Sequence, residues 1–222
     1  MARVITIDGP SGSGKGTIAK LVAESLGWAI LDSGALYRLV GHSAEKAGIS
    51  FDNVGKLREI ALNLDVLFEG DGVYLDGEEV SRDIRTESAG NSASKVAALP
   101  EVRSALLEWQ RSLAKEPGLV ADGRDMGSVV FPDAEVKVFL TASAEERAKR
   151  RYNQLKEKGI SVSLRDLVRD IQERDERDRN RDVAPLVAPV AALEVESTSL
   201  SIDEVFTKVM EKVRSTFPDL DV

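Results

Sequence analysis

The chain of 222 residues contains no cysteine, which excludes a disulfide framework and any metal site held by thiolates. Histidine occurs once, at His42, so a histidine metal cluster or a histidine-based triad lacks its members. No apolar run approaches the roughly 18 residues that a transmembrane helix requires. Met1-Ala2-Arg3-Val4 runs straight into a strand-like segment, so no cleaved leader is expected, and the lack of cysteine points to a reducing, cytoplasmic setting. Positive charge is outweighed as well. The net charge of −8 gives no general attraction to nucleic acid or anionic lipid, and neither partner is expected. Any anionic ligand must therefore be held by local groups of arginine and lysine.

Hydrophobic residues make up 42% and charged residues 31%, the balance of a soluble globular chain with one substantial core. Short apolar runs at Arg3–Ile7, Trp28–Leu31, Leu119–Ala121, Val136–Leu140 and Ala192–Val195 read as strands buried on both faces. Helical patterns lie among them at Lys15–Leu26, Leu36–Lys46, Val54–Leu64, Val102–Lys115, Ala144–Lys158, Leu164–Arg179 and Ile202–Thr216. Ser143 and Glu146 have capping-box spacing at one helix start. This alternation predicts an α/β fold with a parallel sheet flanked by helices. The stretch from Asp32 to Leu119 is far longer than one crossover helix needs. Within it, Asp65–Glu69 and Val73–Leu75 alternate around Gly70-Asp71-Gly72, and Asp76-Gly77 follows, which reads as a small antiparallel hairpin in an inserted subdomain.

Gly9-Pro10-Ser11-Gly12-Ser13-Gly14-Lys15-Gly16-Thr17 follows the first strand and opens a helix. This is Walker A spacing in its strand–loop–helix context. Glycines let backbone N–H groups turn inward around phosphate oxygens, and the helix N-terminus adds its positive end. Lys15 supplies a point charge for the outer phosphates of a nucleoside triphosphate. Most such loops carry serine or threonine after the lysine. Here Gly16 stands there and the hydroxyl comes at Thr17.

Other candidates lie at strand ends and on helix faces. Leu31-Asp32-Ser33-Gly34-Ala35-Leu36-Tyr37-Arg38 ends a strand and opens a helix, with Arg38 about one turn past Ser33; a capped helix with a surface arginine has the same pattern. Ala121-Asp122-Gly123-Arg124-Asp125-Met126-Gly127 sets two carboxylates around an arginine in a loop. Asp122 is placed to act near magnesium through water, although a turn with solvated acids reads alike. Arg147, Arg150 and Arg151 share a helix face, as a cationic lid or a solvated surface would. The acid- and arginine-rich helix ending near Arg181 fits a salt-bridged surface, through pairs such as Glu173–Arg177 and Asp175–Arg179. Arg174, Asp178 and Arg181 nevertheless fall along one stripe. His42, Trp28 and Trp109 read as packing or surface residues.

The segments Gly9–Thr17, Leu31–Arg38, Ile84-Arg85-Thr86, Ala121–Gly127 and Glu173–Arg181 together resemble the bacterial cytidylate kinases, with Val183-Ala184-Pro185-Leu186 just beyond. The resemblance spans most of the chain. The loop Gly9–Thr17 is shared by many families, whereas the D-G-R-D-M-G and R-D-x-R-D-R-N-R segments are specific to this one. It implies a P-loop NTPase-type fold with a core near residues 1–32 and 118–222, an inserted monophosphate-binding subdomain near 33–117, and a short lid near 147–165. It implies ATP on Gly9–Thr17, with Mg2+ carried by phosphates and waters and no direct protein ligand. CMP or dCMP is the implied acceptor. Ser33, Arg103, Asp125 and Arg181 would contact cytosine, and Ser94, Arg174 and Asp178 the pentose. Tyr37, Arg38 and Arg124 would lie near the acceptor phosphate, with Lys15, Arg124 and Arg38 the catalytic set. A monomer is expected.

Such a transfer needs no strong base, because the acceptor is already an oxyanion near neutral pH. Positioning and charge neutralisation suffice, which agrees with a site of arginine, lysine and glycine amides. Two rivals are a nucleotide-operated switch and a nucleic-acid-dependent ATPase. A guanine-reading N-K-x-D segment is absent, and the negative charge disfavours the second.

Overall fold

The computed structural model describes residues 2–70, 72–157 and 159–220. The expected start at Met1, the turn residue Asp71 and the helix end at Lys158 lie outside the described residues. The chain runs through β1 (Arg3–Asp8), α1 (Lys15–Leu26) and β2 (Ala29–Asp32). There follow α2 (Ser33–Lys46), α3 (Val54–Leu62), β3 (Val66–Glu69), β4 (Gly72–Leu75), β5 (Glu78–Glu79), α4 (Glu87–Val96) and α5 (Pro100–Ser112). It ends with β6 (Gly118–Gly123), β7 (Val136–Thr141), α6 (Ala144–Glu157), α7 (Leu164–Arg179), β8 (Leu193–Glu196) and α8 (Ile202–Thr216). Two compact units result, Met1–Leu31 with Leu113–Val222, and Asp32–Ser112.

The first unit is built on a five-stranded sheet in the order β2-β6-β1-β7-β8. The pairs β1–β6, β1–β7 and β7–β8 are parallel. Ile5 and Ile7 of β1, Val120 of β6, Val136, Val138 and Leu140 of β7 and Val195 of β8 meet Ile18, Ala19 and Val22 of α1 and Val205, Val209, Met210 and Val213 of α8. Burying such side chains contributes roughly 1.5–3 kcal/mol each, so the parallel sheet and its helices are held by apolar area. Trp28 joins this core against Phe217, with ring centroids 5.9 Å apart. The helices α6 and α7 form their own smaller cluster through Ala148, Leu155 and Leu167. Ser143 Oγ accepts from the Glu146 amide at 3.1 Å and so opens α6.

The second unit has a three-stranded antiparallel sheet, β3-β4-β5. It is one strand more than the expected hairpin. The extra turn is Asp76-Gly77, with φ of 50° and 79°, the pair of positive values that a two-residue hairpin of type I′ needs. Ala35 and Leu39 of α2 pack with Val73, Leu75, Val80 and Ile84. Helix α2 begins at Ser33, earlier than the pattern predicts, because the Asp32 carboxylate accepts from the Ala35 amide and caps it. Helix α4 has no counterpart in the sequence reading. Its residues, Glu-Ser-Ala-Gly-Asn-Ser-Ala-Ser-Lys-Val, are mostly small and polar with weak helix propensity. Thr86 caps it by accepting from the Ala89 amide, and small size lets it approach α2. A Cβ at Gly41 would lie 3.0 Å from that of Ser92.

Candidate active site

The phosphate loop is shaped by what surrounds it. At Gly9 a Cβ would sit 2.0 Å from the Leu140 carbonyl oxygen, so the chain can leave β1 beside β7 only as glycine. Gly12 and Gly14 have φ of 76° and 93°, the left-handed region that side chains disfavour. Gly14 caps α1 without a side chain, which leaves the first-turn amides to an anion. Lys15 Nζ lies 3.4 Å from Asp122 Oδ1. A Cβ at residue 16 would lie 3.1 Å from Asp122 Oδ2. The glycine where most such loops carry a hydroxyl thus makes room for the Asp122 carboxylate.

Helix α6 supports this loop. Arg147 is buried, and its Nη1 donates to the Ser11 carbonyl at 2.9 Å while Nε donates to Ala142 O at 2.9 Å. Both of its terminal nitrogens also donate to the Asp175 carboxylate. Asp175 is therefore paired with Arg147, not with Arg179 as the helix spacing suggests. Arg150 Nη2 donates to Ser197 O at 2.6 Å, and its Nη1 lies 3.5 Å from Ser13 O. Arg151 Nη1 lies 3.4 Å from Gln154 Oε1. Of the three arginines on this face, Arg147 and Arg150 are engaged with the backbone of the phosphate loop.

The loop after β6 carries Arg124 and Asp125 into a short π-helical turn, Met126–Val130, which no local pattern signals. Arg124 Nε donates to Asp178 Oδ2 at 3.2 Å, fixing the plane of the guanidinium. Arg174 Nη1 reaches Ser11 Oγ at 3.3 Å. Asp125, Asp178 and Arg181 are buried. The stripe Arg174–Asp178 is thus tied both to the phosphate loop and to the Arg124 loop. A further residue, Asp8, escaped sequence reading because it closes β1 like any strand-end acid. Its Oδ1 accepts from the Met126 amide and its Oδ2 from the Gly127 amide, each at 2.8 Å. Burial pushes its carboxyl up to about 7; the two amides pull the other way, and Asp125 and Asp122 add to the rise.

In the second unit the expected residues sit on three helices. Ser33, at the start of α2, donates to Gln110 Oε1 of α5 at 2.8 Å. Gln110 is fully buried and was not singled out from the sequence. Arg38 Nη1 donates to Ile84 O at 2.6 Å and Thr86 O at 3.2 Å, which explains why Ile84-Arg85-Thr86 belongs with it. The Arg103 guanidinium lies 5.7 Å from the Tyr37 ring centroid, and its Nη1 donates to Ala97 O at 3.2 Å. Ser94 is buried on α4. Among the described residues no group of three or more acidic or histidine side chains could hold a metal. Among them, too, no helix is long and apolar enough to cross a membrane.

A family model described as cytidylate kinase matches residues 5–215. The chain is 58% identical over 214 residues to the cytidylate kinase of Aeromonas salmonicida (strain A449), covering 95% of this chain and 93% of the other. It is 56% identical to that of Pseudomonas syringae pv. tomato, covering 96% and 95%. A gluconokinase structure from Sinorhizobium meliloti 1021 shares the fold, with TM-score 0.51 at 15% identity over 98% of this chain and 95% of that one.

Proposed function

The chain belongs to the cytidylate kinase family, and we propose on that footing that it transfers the γ-phosphoryl group of ATP to CMP or dCMP, giving ADP and the corresponding diphosphate. The observation that carries this reading is the polar network of the first unit. Lys15, Asp122, Arg124, Asp178 and Arg174 are tied by short contacts to one phosphate loop and one arginine-bearing loop. ATP phosphates take the amides of Gly9–Thr17, and Lys15 neutralises charge that spreads over the transferred group. The acceptor phosphate is met by Arg124 and Arg38, with Tyr37 nearby. Asp178 holds Arg124 by its Nε, so the donors of the guanidinium are oriented before substrate arrives.

Cytosine is read by Ser33, Arg103, Asp125 and Arg181, and the pentose by Ser94, Arg174 and Asp178. Gln110 orients the Ser33 hydroxyl by accepting its proton. Arg151, with Arg150, covers the triphosphate. A phosphate contact from Arg147 would require it to give up a bond to Ser11, Ala142 or Asp175, so its part is to brace the loop. Magnesium suits this donor set, since Mg2+ keeps most of its waters and takes one or two carboxylates besides phosphate oxygens. Asp122 would hold it through water, and the ion, when bound, neutralises phosphate charge. We take the enzyme to act as a cytoplasmic monomer without nucleic acid.

A coupled ADP-release assay with CMP, dCMP, UMP and AMP tests the assignment. The expected outcome is kcat/KM for CMP and dCMP on the order of 10²-fold or more above that for AMP, because mispaired buried polar groups penalise the wrong base. Equal turnover of all four would overturn it.

A further inference from the structure

Asp8 stands at the junction of the two loops. It is the last residue of β1 and is followed directly by Gly9, the first residue of the phosphate loop. Its side chain leaves the strand toward the turn that follows Arg124 and Asp125. Each carboxylate oxygen accepts one amide, from Met126 and from Gly127, at 2.8 Å. The turn is seated on β1 without slack, since a Cβ at Gly127 would lie 2.6 Å from Thr6 Oγ1 and 3.0 Å from Pro189 Cγ. A fully buried carboxylate is costly unless both oxygens are satisfied, and the hydrophobic alternatives that would fill this space could not accept either amide. An apolar residue would give a quieter core. What the acid provides is a two-pronged acceptor that fixes the direction of two consecutive amides.

We propose that Asp8 is a positioning residue for the acceptor nucleotide, holding Arg124 and Asp125 in register with the phosphate loop through the amides of Met126 and Gly127. The proposal rests on the reading that Arg124 and Asp125 meet the monophosphate. Two acceptor oxygens are needed at once, so a proton on the carboxyl weakens one prong. The charged groups that act on Asp8 are Asp125 from the loop and Asp122 from β6, and Lys137 from β7 lies beside Gly127, where a Cβ would be 3.3 Å from its Cδ. Lys15 is 3.4 Å from Asp122, Arg124 is bonded to Asp178 and the Lys137 amine is bonded to Pro132 O. Burial raises the Asp8 carboxyl to about 7, with Asp125 and Asp122 adding to the rise, so the hold weakens as pH falls below neutrality.

The test compares the parent protein with Asp8→Asn, Arg124→Ala and Asp125→Asn. In Asp8→Asn one oxygen becomes an NH2 that cannot accept. At about pH 8 the Kd for CMP should rise about tenfold or more, as loss of a charge-assisted bond implies, while the Kd for a non-hydrolysable ATP analogue stays within about threefold. In nitrogen-15 spectra the Met126 and Gly127 amides should shift in this variant. In the nucleotide-free parent the same two amides should titrate together near neutral pH. Equal weakening of CMP and the ATP analogue would overturn the proposal, because Asp8 would then act on the phosphate loop. Unshifted amides would overturn it too. If Asp8→Asn leaves CMP binding intact while Arg124→Ala and Asp125→Asn weaken it, positioning by Asp8 is wrong. If all three leave it intact while the amides move, the assignment of Arg124 and Asp125 to CMP has failed instead. Should Asp8→Asn not fold, the parent titration decides, and amides that stay still from about pH 5 to 9 would contradict the hold.

Discussion

In the first unit the charged side chains around the phosphate loop are held by one another and by the loop itself. Lys15 lies beside Asp122, Arg124 is bonded to Asp178, and Arg147 bridges Ser11 and Asp175. In the second unit Arg38 donates to the carbonyls of Ile84 and Thr86, and Arg103 to that of Ala97. The first arrangement spends charge on charge, so each member depends on its partner. The second sets arginine against neutral backbone carbonyls, which orients the side chain. The phosphate loop is thus braced by buried charge pairs, and the arginines of the second unit are directed by carbonyl groups.

Substitutions can separate these two modes, and the largest effect is expected where a buried pair is broken. Arg147→Ala leaves the Asp175 carboxylate buried without its partner, and should cost about 3–5 kcal/mol of stability. Urea unfolding reads it directly. A loss under about 1 kcal/mol would mean that the pair is no brace. Lys15→Ala should keep the fold and lower kcat by on the order of 10²-fold or more with ATP saturating, because a transition-state charge contact is removed. Activity within a few-fold of the parent would take Lys15 out of the mechanism. Arg38→Ala should lower kcat/KM for CMP by roughly 10- to 100-fold, the worth of a charged hydrogen bond, and leave KM for ATP unchanged. If KM for ATP rises equally, the insert arginine is not dedicated to the acceptor.

A different kind of effect is one of slope. The folded Asp8 carboxyl titrates at about 7 against an ordinary 3.8. Between those values the folded chain keeps a proton that the unfolded chain has released, so the Asp8 contribution to stability declines as pH rises through that window. Asp8→Asn removes the decline. Its stability relative to the parent should therefore increase from about pH 5 to pH 8 in urea titrations, and a constant difference would contradict the buried, proton-holding carboxyl.

The same contrast explains what could be read from the residues alone. Loop Gly9–Thr17 was legible because its demands are local: glycine where a backbone approaches, lysine at a fixed offset, a helix directly after. The parallel sheet was legible because its strands are short continuous apolar runs. Asp8 and Gln110 were not, since each acts on residues more than 70 positions away and no spacing rule links them. Helix α4 was missed because its small polar residues are chosen for close approach to α2, not for helix propensity. The pairing of Asp175 with Arg147 was misread for a related reason. Helical periodicity offers Arg179 as a neighbour, but burial rewards the partner across the α6–α7 contact.

At the centre of this account is the reading of cytosine by the loop after β6. Cytosine presents an amino donor at N4 and an acceptor at N3, whereas uracil presents O4 and N3–H. A carboxylate only accepts and a guanidinium only donates, so the buried Asp125, in its proposed place toward N4, would favour cytosine over uracil. The direct measurement is the ratio of kcat/KM for CMP to that for UMP in Asp125→Asn, whose amide can turn its NH2 toward O4. The ratio should narrow, mainly through loss of CMP turnover. A ratio held at the parent value while both rates fall together would show that Asp125 does not read the base.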